Sequence, residues 1–478
     1  MTDNLFGVNA GWTRTAPMGY PAAMRIGRYE IRGLLGRGGM GAVYKAAMPV
    51  TGRIVALKVL RPAEIMEDLV GGDALREMFF KEAAAMASIS HPNVAAVLDV
   101  GGVNGDGNPA PPHFTMEYFC GNLGVLMGET YEVERESRPL GVETSLSIAR
   151  GMTGGLDRLH YEGIIHRDVK PFNVMLAEDQ GGPGTVKLID FGLSKLRGER
   201  TAHHKGMVVG SPYYAAPEQE ADPESADERS DLYSVGVTLY RMLTGRLPDE
   251  KGASSISELH ADLDRTWDDF FATALARDPA ARFPDGPALL AALDELEARW
   301  LRQRDAACAA PDLLAEPDLL ETCPPPRSKP LKAGLKEGRA AFGLDELWRP
   351  ECYAHGEFAD QGDGTVLERT RGLVWERHGS RYPLTWERAN SHVARLNKNA
   401  YGGRTNWRLP TVAELATLFT GRTEPGEFCL EPAFDPQKAR LWSADRKAFT
   451  AAWYVDAELG FVWWQDLTCR FFARAVAG

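Results

Sequence analysis

The sequence of 478 residues is poor in cysteine, has no long apolar run and carries no excess of positive charge. Its six cysteines are widely spaced and include no C-x-x-C pair, which argues against a zinc knuckle or a dithiol redox centre. We therefore expect free thiols rather than disulfides, as in a reducing compartment. The longest apolar runs, such as Val235–Leu239 and Phe461–Trp464, fall far short of the roughly 18 residues that a membrane span needs. No membrane span is predicted.

The charge balance is acidic, with a net charge of −12. This argues against a general affinity for nucleic acid. Residues 1–24 contain no basic segment followed by an apolar core, so we expect no secretory signal and a cytoplasmic protein. Apolar residues make up 44% of the chain, which together with its length predicts two or three globular domains.

Tryptophan is distributed unevenly along the chain. Of eleven tryptophans, only three precede residue 340, so the end of the chain has a different construction. Residues 303–345 carry a doubled Pro-Asp-Leu-Leu motif and several further prolines, which favours an extended spacer. The doubled motif is more simply a short helical fragment than a docking motif. We expect a tail over 1–25, a first domain over 26–302, a Pro-rich linker over 303–345 and a last domain over 346–478.

The first domain divides into a small strand-rich lobe and a larger helical lobe. Period-two alternation predicts strands at 29–35, 42–47 and 54–60. A helix is predicted over 74–88, closed by His91-Pro92, and from about residue 141 the pattern becomes mostly helical, as at 233–243 and 287–301.

A glycine-rich segment, Gly36–Gly41 followed by Ala42-Val43, fits the pattern G-x-G-x-x-G-x-V. Glycines there let backbone amides approach phosphate oxygens. A hairpin without a ligand gives the same pattern, so the segment alone is weak support. A strand leads out of it, however, whereas a dinucleotide-binding turn would lead into a helix.

Lys58 lies on the predicted strand 54–60 and shares a face with Ala56. A lysine among apolar neighbours needs an anionic partner, and Glu82 on the following helix can supply it while Lys58 also holds nucleotide phosphates. The alternative is an ordinary exposed lysine.

The segment His166–Asn173, followed by Asp190-Phe191-Gly192, is much more specific. Phosphoryl transfer from a metal-bound triphosphate needs a carboxylate that orients the attacking hydroxyl, a cation near the phosphoryl group and oxygen ligands for Mg²⁺. The residues that supply this set are Asp168, Lys170, Asn173 and Asp190.

With these motifs, residues 26–302 resemble the bacterial members of the eukaryotic-type serine/threonine protein kinases. Ala216–Glu218 resembles the end of the activation segment, and Arg282 the arginine that pairs with its glutamate. Asp231 resembles the aspartate that braces the catalytic loop, and Met116–Phe119 the gatekeeper and hinge. The resemblance implies a bilobal kinase fold, ATP and Mg²⁺ as cofactors, and protein substrates with serine or threonine hydroxyls.

The resemblance also implies a set of site residues. The catalytic residues would be Asp168, Lys170 and Asn173, and the metal ligands Asn173 and Asp190. The nucleotide would be held by Leu35, Gly36, Gly38, Gly41, Val43, Ala56, Lys58, Glu82, Glu117 and Phe119. The rival interpretation, an ATP-binding pseudokinase scaffold, predicts a damaged catalytic set, and this set is intact.

The first domain also contains a possible regulatory phosphate site and an insertion. Arg167 is expected to pair with a phosphate on the segment 193–215, where Thr201 is the favoured site unless it is only a loop residue. Ser211 stands where the family commonly has threonine. The Gly/Pro/Asn-rich insertion 101–112 is expected to be a flexible loop.

The Trp-rich end predicts a small mixed domain. Residues 360–375 indicate a hairpin with Gly372 at its turn, 384–396 a helix begun by Thr385, and Thr411–Glu414 a capping box. Short strands are expected at 452–456, 461–465 and 471–476.

This end resembles a bacterial domain found at the C-terminus of collagen-like adhesins. The resemblance rests on Gly364–Val366, Gly372–Trp375, Leu384–Trp386, Asn406–Thr411 and Ala452–Asp456. It implies a C-type-lectin-like fold related to the formylglycine-generating enzymes, so the whole chain is expected to be α+β, a bilobal kinase followed by a Trp-rich lectin-like domain.

Neither formylglycine oxidation nor calcium-dependent sugar binding is expected here, because each depends on particular residues. Cys429 and Cys469 are 40 residues apart, unlike the close pair that formylglycine oxidation needs. Glu431–Ala433 lacks the asparagine of a calcium-dependent sugar site, and Asp360 and Asp363 are more simply turn residues than calcium ligands. The tryptophans are either core or the floor of a ligand site, as for Trp442, Trp463 and Trp464. We expect an independently folding module that senses a ligand or recruits a partner protein.

Overall fold

A computed structural model describes the chain in two compact units. The first takes in the described parts of Met1–Ala87 and Ala96–Tyr118, and the second those of Ser88–Ala95 and Phe119–Gly478. Among the described residues, no helix is both long and apolar enough to cross a bilayer. The described residues are 24–38, 41–62, 67–68, 70–103, 109–129, 135–177, 185–190, 195–196, 213–222, 225–248, 255–260, 263–308, 323, 325–353, 356–419, 430–435 and 438–478.

The described residues of the first unit contain a six-stranded antiparallel sheet and a helix. The sheet order is β1-β2-β3-β4-β6-β5. The strands are β1 (Arg25–Ile26), β2 (Tyr29–Gly38), β3 (Gly41–Ala47), β4 (Ile54–Leu60), β5 (Val97–Val103) and β6 (Pro109–Glu117), and the helix is α1 (Gly72–Ala87). Tyr29, Val55, Leu57 and Val59 are buried in its core. The strands and helix predicted at the start of the domain are confirmed.

The insertion 101–112 was expected to be a flexible loop, and this is wrong for its described part. Gly101 pairs with His113 and Val103 with Pro109, so both arms of the insertion extend the β5–β6 hairpin. Its prolines are tolerated because β4 pairs with β6 only as far as His113, which leaves the proline-bearing part of β6 without β4 beside it. Residues 104–108 lie outside the described residues.

The large lobe, in the second unit, is mostly helical. Its helices are α2 (Leu123–Met127), α3 (Val142–Tyr161), α4 (Pro217–Ala221), α5 (Glu228–Thr244), α6 (Ile256–Leu259), α7 (Arg265–Ala274) and α8 (Gly286–Cys308). Short strands accompany them in the described residues: β7 (Gly121–Asn122), β8 (Ile164–Ile165), β9 (Val174–Leu176), β10 (Val186–Leu188) and β11 (Lys195–Leu196). They pair in the orders β10-β9-β7 and β11-β8. Together with the sheet of the first unit, this confirms the predicted strand-rich and helical lobes.

In its described residues, the Trp-rich part combines antiparallel sheets with α-helices. The strands are β12 (Phe358–Asp360), β13 (Thr365–Glu368), β14 (Leu373–Glu376), β15 (Arg440–Ala448), β16 (Ala451–Asp456), β17 (Phe461–Asp466) and β18 (Val476–Ala477), in the orders β12-β13-β14-β18 and β15-β16-β17. The helices are α9 (Leu335–Phe342), α10 (Trp386–Lys398) and α11 (Val412–Ala416). Trp375 and Trp453 are fully buried in its core.

Most local predictions for this part are confirmed. Gly372 has φ 71° at the β13–β14 turn, Thr385 caps α10, and Thr411 with Glu414 forms the capping box of α11. The strand expected at 471–476 is wrong in extent. Phe471 bridges Leu384, which lies outside the named strands, and Phe472 bridges Leu441 on β15, so the two residues form isolated bridges and not a strand.

The second half of the predicted spacer is not extended but is anchored to the Trp-rich structure. Nη1 and Nη2 of Arg327 each donate to a carboxylate oxygen of Asp445 at 3.0 Å, and the indole of Trp453 donates to the carbonyl of Ala333 at 3.1 Å. Residues 327–345 therefore pack as part of the Trp-rich structure. Proline-rich composition did not reveal this, because the anchoring partners are more than 100 residues away. The doubled Pro-Asp-Leu-Leu motif lies outside the described residues.

The expectation of free thiols is wrong for four cysteines. Cys120 is bonded to Cys469, and Cys323 to Cys352. The Cα atoms of the two pairs are 5.8 and 5.9 Å apart, within the usual range for disulfides. Spacing along the chain could not show these pairs, since the first joins residues 349 positions apart.

Candidate active site

The structure brings Asp168, Lys170 and Asn173 together in one loop of the large lobe. The Asp168 Oδ2 atom accepts hydrogen bonds from Lys170 Nζ at 2.7 Å and from Asn173 Nδ2 at 3.0 Å. Asn173 Nδ2 also donates to the Asp168 carbonyl at 2.8 Å. A short 3₁₀ turn, Pro171–Asn173, sets this spacing. The arrangement holds a carboxylate, a cation and an amide at one place.

Asn173 and Asp190 lie at the same end of the β9–β10 hairpin. Val174 pairs with Leu188, and Ile189 N donates to the Asn173 carbonyl at 3.1 Å. Because Nδ2 of Asn173 faces Asp168, its Oδ1 faces away from that carboxylate. Amide and carboxylate oxygens are donors that Mg²⁺ prefers, so Asn173 and Asp190, at one end of this hairpin, are residues that could hold a magnesium ion.

Asp231, at the start of α5, braces this loop as expected. It is 1% exposed, and its carboxylate accepts hydrogen bonds at 2.8 Å from the backbone amides of His166 and Arg167 and contacts His160 Nε2 at 2.8 Å. Burial alone would raise the pKa of Asp231, but the hydrogen bond and charge of His160 and the backbone hydrogen bond outweigh it and hold the pKa below its usual value. The loop is therefore fixed to a buried carboxylate.

Backbone conformation also marks the loop. Arg167 has φ 68° and Asp190 has φ 66°. The left-handed region is uncommon for residues other than glycine and clusters at functional sites.

The ion pair expected between Glu218 and Arg282 is present. Two hydrogen bonds of 2.7 Å join the guanidinium to the two carboxylate oxygens, and Ser230 Oγ donates to Glu218 at 2.7 Å. Burial would raise the pKa of Glu218, but these donors outweigh it and lower the pKa. The next residue, Gln219, donates to the Arg167 carbonyl at 2.6 Å and so links α4 to the catalytic loop.

A second buried network was not predicted from the sequence. Glu129 contacts Arg241 Nε at 2.5 Å and accepts a hydrogen bond from the hydroxyl of Tyr214. Burial raises the pKa of Tyr214, and the charge of Glu129 raises it further. The signal that could have revealed this network is Arg241 itself, a charge within the buried part of α5.

In the first unit, the expected pair of Lys58 and Glu82 is present. Lys58 Nζ lies 2.7 Å from Glu82 Oε1, and the residues are 8% and 6% exposed. β4 presents the lysine and α1 the glutamate. The alternative of an ordinary exposed lysine does not hold.

The glycine-rich segment forms the β2–β3 hairpin, as predicted. Gly36 pairs with Val43, and Gly38 with Gly41. A Cβ atom on Gly41 would lie 2.1 Å from the Val59 carbonyl, so only glycine fits there. Leu35 is exposed, and the tip, residues 39–40, lies outside the described residues.

The predicted hinge residues divide between the two units. Ala56 pairs with Met116 on β6, and the Glu117 carboxylate accepts from the Ala96 amide at 3.1 Å. Phe119, in the large lobe, is buried with Ala95 and Ala177. Its side chain is therefore part of the hydrophobic core, so a nucleotide could contact only the backbone of this residue. Phe191, Gly192, Thr201 and Ser211 lie outside the described residues.

Known proteins match the chain over two stretches. Residues 364–477 match the Lcl C-terminal domain, which shows that this domain is present. The serine/threonine-protein kinase PksC of Streptomyces coelicolor is 36% identical over 56% of this chain and 48% of its own length. The serine/threonine-protein kinase PknJ of Mycobacterium tuberculosis is 34% identical over 53% of this chain and 43% of its own length. The chain thus spans about half or less of the length of these curated relatives.

Among solved structures, the kinase domain of Mycobacterium tuberculosis PknI matches 58% of this chain and 100% of its own, with 26% identity and a TM-score of 0.42. The strongest finding concerns the first domain. Residues 29–282, which contain all the candidate site residues above, match the protein kinase domain. The chain therefore belongs to the protein kinase family.

Proposed function

We propose that the chain transfers the terminal phosphate of ATP to serine and threonine hydroxyls of protein substrates in bacterial signalling. One observation carries the proposal: Asp168 Oδ2 accepts from both Lys170 and Asn173 at the end of the hairpin that bears Asp190. Members of the protein kinase family use ATP and Mg²⁺, and their catalysis consists of positioning and of stabilising charge.

Each of these residues has a definite task in the proposed reaction. Asp168 would accept the hydrogen bond of the substrate hydroxyl and orient it for attack. Lys170 would place its charge near the transferred group, and Asn173 with Asp190 would hold magnesium through oxygen atoms. ATP supplies the phosphoryl group when bound, and the magnesium ion that accompanies it partly neutralises the charge of the phosphates.

In the small lobe, Lys58 would hold the nucleotide phosphates, and its contact with Glu82 would keep its side chain in place. The β2–β3 hairpin would cover the phosphates through Leu35, Gly36, Gly38, Gly41 and Val43. Ala56 and the backbone of Glu117 and Phe119 would bind the adenine.

An ATP-binding pseudokinase scaffold is the alternative, and Asp168→Asn separates the two. Transfer of labelled phosphate from ATP to a generic protein substrate should fall by about 10²–10⁴-fold, while ATP binding measured by calorimetry persists. Asp294→Asn is the matched control, because this aspartate is 68% exposed in its side chain and forms a surface ion pair with Arg150. If wild type transfers no more phosphate than Asp168→Asn, the scaffold is the correct interpretation.

For regulation, we propose that phosphorylation of Thr201 activates the kinase. Arg167 would supply positive charge for this phosphate. His203, His204 and Lys205, which closely follow Thr201 in the sequence, would add to it. Mass mapping after incubation with ATP should find phosphate within 193–215. Full activity in Thr201→Ala would remove this proposal.

For the last domain, we propose a C-type-lectin-like fold over 346–478 that senses a ligand or recruits a partner protein. Trp463 and Trp464 are only partly buried, in contrast to Trp442, which supports a ligand surface of aromatic rings. Removal of residues 346–478 should raise the KM for a protein substrate recruited in this way without changing the KM for ATP, and an unchanged KM for every protein tested would count against recruitment.

We further propose that the kinase acts in the cytoplasm, where a disulfide forms only transiently.

A further inference from the structure

The Trp-rich part touches the large lobe along one edge. Thr144 Oγ1, in α3, donates to Glu458 Oε1 at 3.4 Å, and the amide of Gln465 donates to the Cys120 carbonyl. The disulfide between Cys120 and Cys469 lies beside them. All three contacts on the Trp-rich side come from residues 458–469, so this segment lies against the lobe. We call residues 458–469 the docking segment.

Arg138 of the large lobe is buried under this segment. Its guanidinium lies 3.6 Å from the ring centre of Phe461, and Nη1 donates to the Leu126 carbonyl at 2.8 Å. The other two guanidinium nitrogens, Nε and Nη2, have no hydrogen-bond partner within the described residues. Burial lowers the pKa of Arg138 to about 10.

Within the described part of the chain no carboxylate forms an ion pair with Arg138, although the charges of Asp456 and Asp345 oppose the effect of burial. Asp456, on the strand before the docking segment, is already bound by Arg440 Nε at 2.9 Å and by the backbone amides of Glu458 and Leu459 at 3.1 Å. A buried guanidinium with unsatisfied nitrogens is unfavourable, and the ring of Phe461 offsets only part of this loss. The noncovalent contact is therefore weak by itself, and the disulfide is the strong connection.

The position of the disulfide permits exchange with small thiols. Cys120 is partly exposed and Cys469 is fully buried, so an external thiolate reaches Cys120 more easily. Cys120 also directly follows Phe119, the last of the predicted hinge residues. A bond at this point joins the Trp-rich part to the segment that leads from the hinge into α2.

We propose that the docking segment is an interaction surface whose partner is the large kinase lobe of the same chain, held there reversibly by the Cys120–Cys469 bond. The release is a thiol–disulfide exchange. A thiolate of a small dithiol attacks one sulfur, the S–S bond breaks to a mixed disulfide, and the second thiol displaces the protein, which leaves two cysteine thiols and an oxidised dithiol. A small disulfide reverses the reaction by accepting the two electrons. This proposal goes beyond phosphotransfer and does not depend on it.

A cleavage assay on the full chain tests the covalent connection. A protease site is inserted between residues 315 and 316, which separates Cys120 and Cys308 from the other four cysteines. After cleavage, the two fragments of wild type should stay joined on a non-reducing gel and separate when dithiothreitol is added. Cys120→Ser should separate without reductant, whereas Cys323→Ser, which removes the other disulfide, should stay joined.

Two results would overturn the proposal. Separation of wild type without reductant would show that the bond does not form, and a disulfide-linked dimer would show that the partner is a second copy. Hydrogen exchange on the uncut chain tests the docking itself. Because amide exchange reports local opening, amides in 120–128 and 140–146 should exchange at least about 10-fold faster in Cys120→Ser than in Cys323→Ser. Equal rates would show that the bond does not control docking. Neither readout involves phosphotransfer, so failure here leaves the proposed kinase activity untouched.

Discussion

Single carboxylates in the large lobe are kept ionised by the hydrogen bonds that they accept. Asp231 and Glu218 are both largely buried, yet both have a lowered pKa because their donors outweigh the effect of burial. A carboxylate with a lowered pKa adds stability above the ordinary carboxyl pKa, and this stability is lost as pH falls through the lowered pKa of the folded state. The catalytic loop and α4 should therefore loosen together in acid.

This gives a pH prediction for Glu218→Gln. The variant has no titrating group at this position, so its stability should fall less steeply than that of wild type below about pH 4. At pH 7 it should be less stable, because Arg282 is left buried without its anion. Denaturation midpoints followed between pH 7 and pH 3 check both effects, and parallel curves for the two proteins would contradict them.

A second prediction at this scale concerns Lys58 and Glu82. Lys58→Met should lower kcat/KM for ATP by about 10²–10³-fold, since it removes a cation proposed to contact the phosphates. Glu82→Gln keeps an oxygen within reach of Lys58 and should have a smaller effect in the same direction. Steady-state kinetics with varied ATP measure both, and an equal or larger loss in Glu82→Gln would argue that Lys58 does not contact the nucleotide directly.

Which residues could be predicted depends on how far apart their partners lie. Asp168, Lys170 and Asn173 are close in sequence, so their spacing alone indicated one loop. Glu129 and Tyr214 are 85 positions apart, and no local pattern joins them. The same reason explains why the bond between Cys120 and Cys469 was missed.

Among the structural elements, those with local signals were predicted well. The capping box at Thr411–Glu414 and the glycine at the β13–β14 turn are set by neighbouring residues, and both are present. Residues 327–345 were interpreted as a spacer because their order comes from distant partners such as Asp445 and Trp453. Helix α9 is the clearest case, since it is held against the ring of Trp453.

A prediction for α9 follows from the space at Gly338. A Cβ atom there would lie 2.6 Å from the Trp453 ring. Alanine in a helix gains up to about 1 kcal/mol over glycine, but overpacking costs about 1–3 kcal/mol, so Gly338→Ala should be net destabilising. Tryptophan fluorescence during thermal unfolding measures the change. Gly72→Ala in α1 is the control, since it meets only the flexible end of Glu67 at 3.3 Å, and an equal loss in both variants would contradict the steric argument.

For the molecule as a whole, the Trp-rich part shares a compact unit with the large lobe but has its own core. The described buried residues of that core lie between Leu344 and Val476. After cleavage near Pro325 and reduction, we therefore expect a kinase fragment that still phosphorylates a generic substrate and a compact tail. Circular dichroism and hydrogen exchange of the separated tail check its fold. An unfolded tail or an inactive kinase fragment would mean that the two parts form one structural unit.

The central claim is that the loop of Asp168, Lys170 and Asn173 directs ATP phosphate to serine and threonine. Phosphoamino-acid analysis after incubation with γ-labelled ATP and Mg²⁺ tests it most directly. We predict label on phosphoserine and phosphothreonine in wild type, and almost none in Asp168→Asn. Label on tyrosine alone, or equal labelling of the two proteins, would contradict the account.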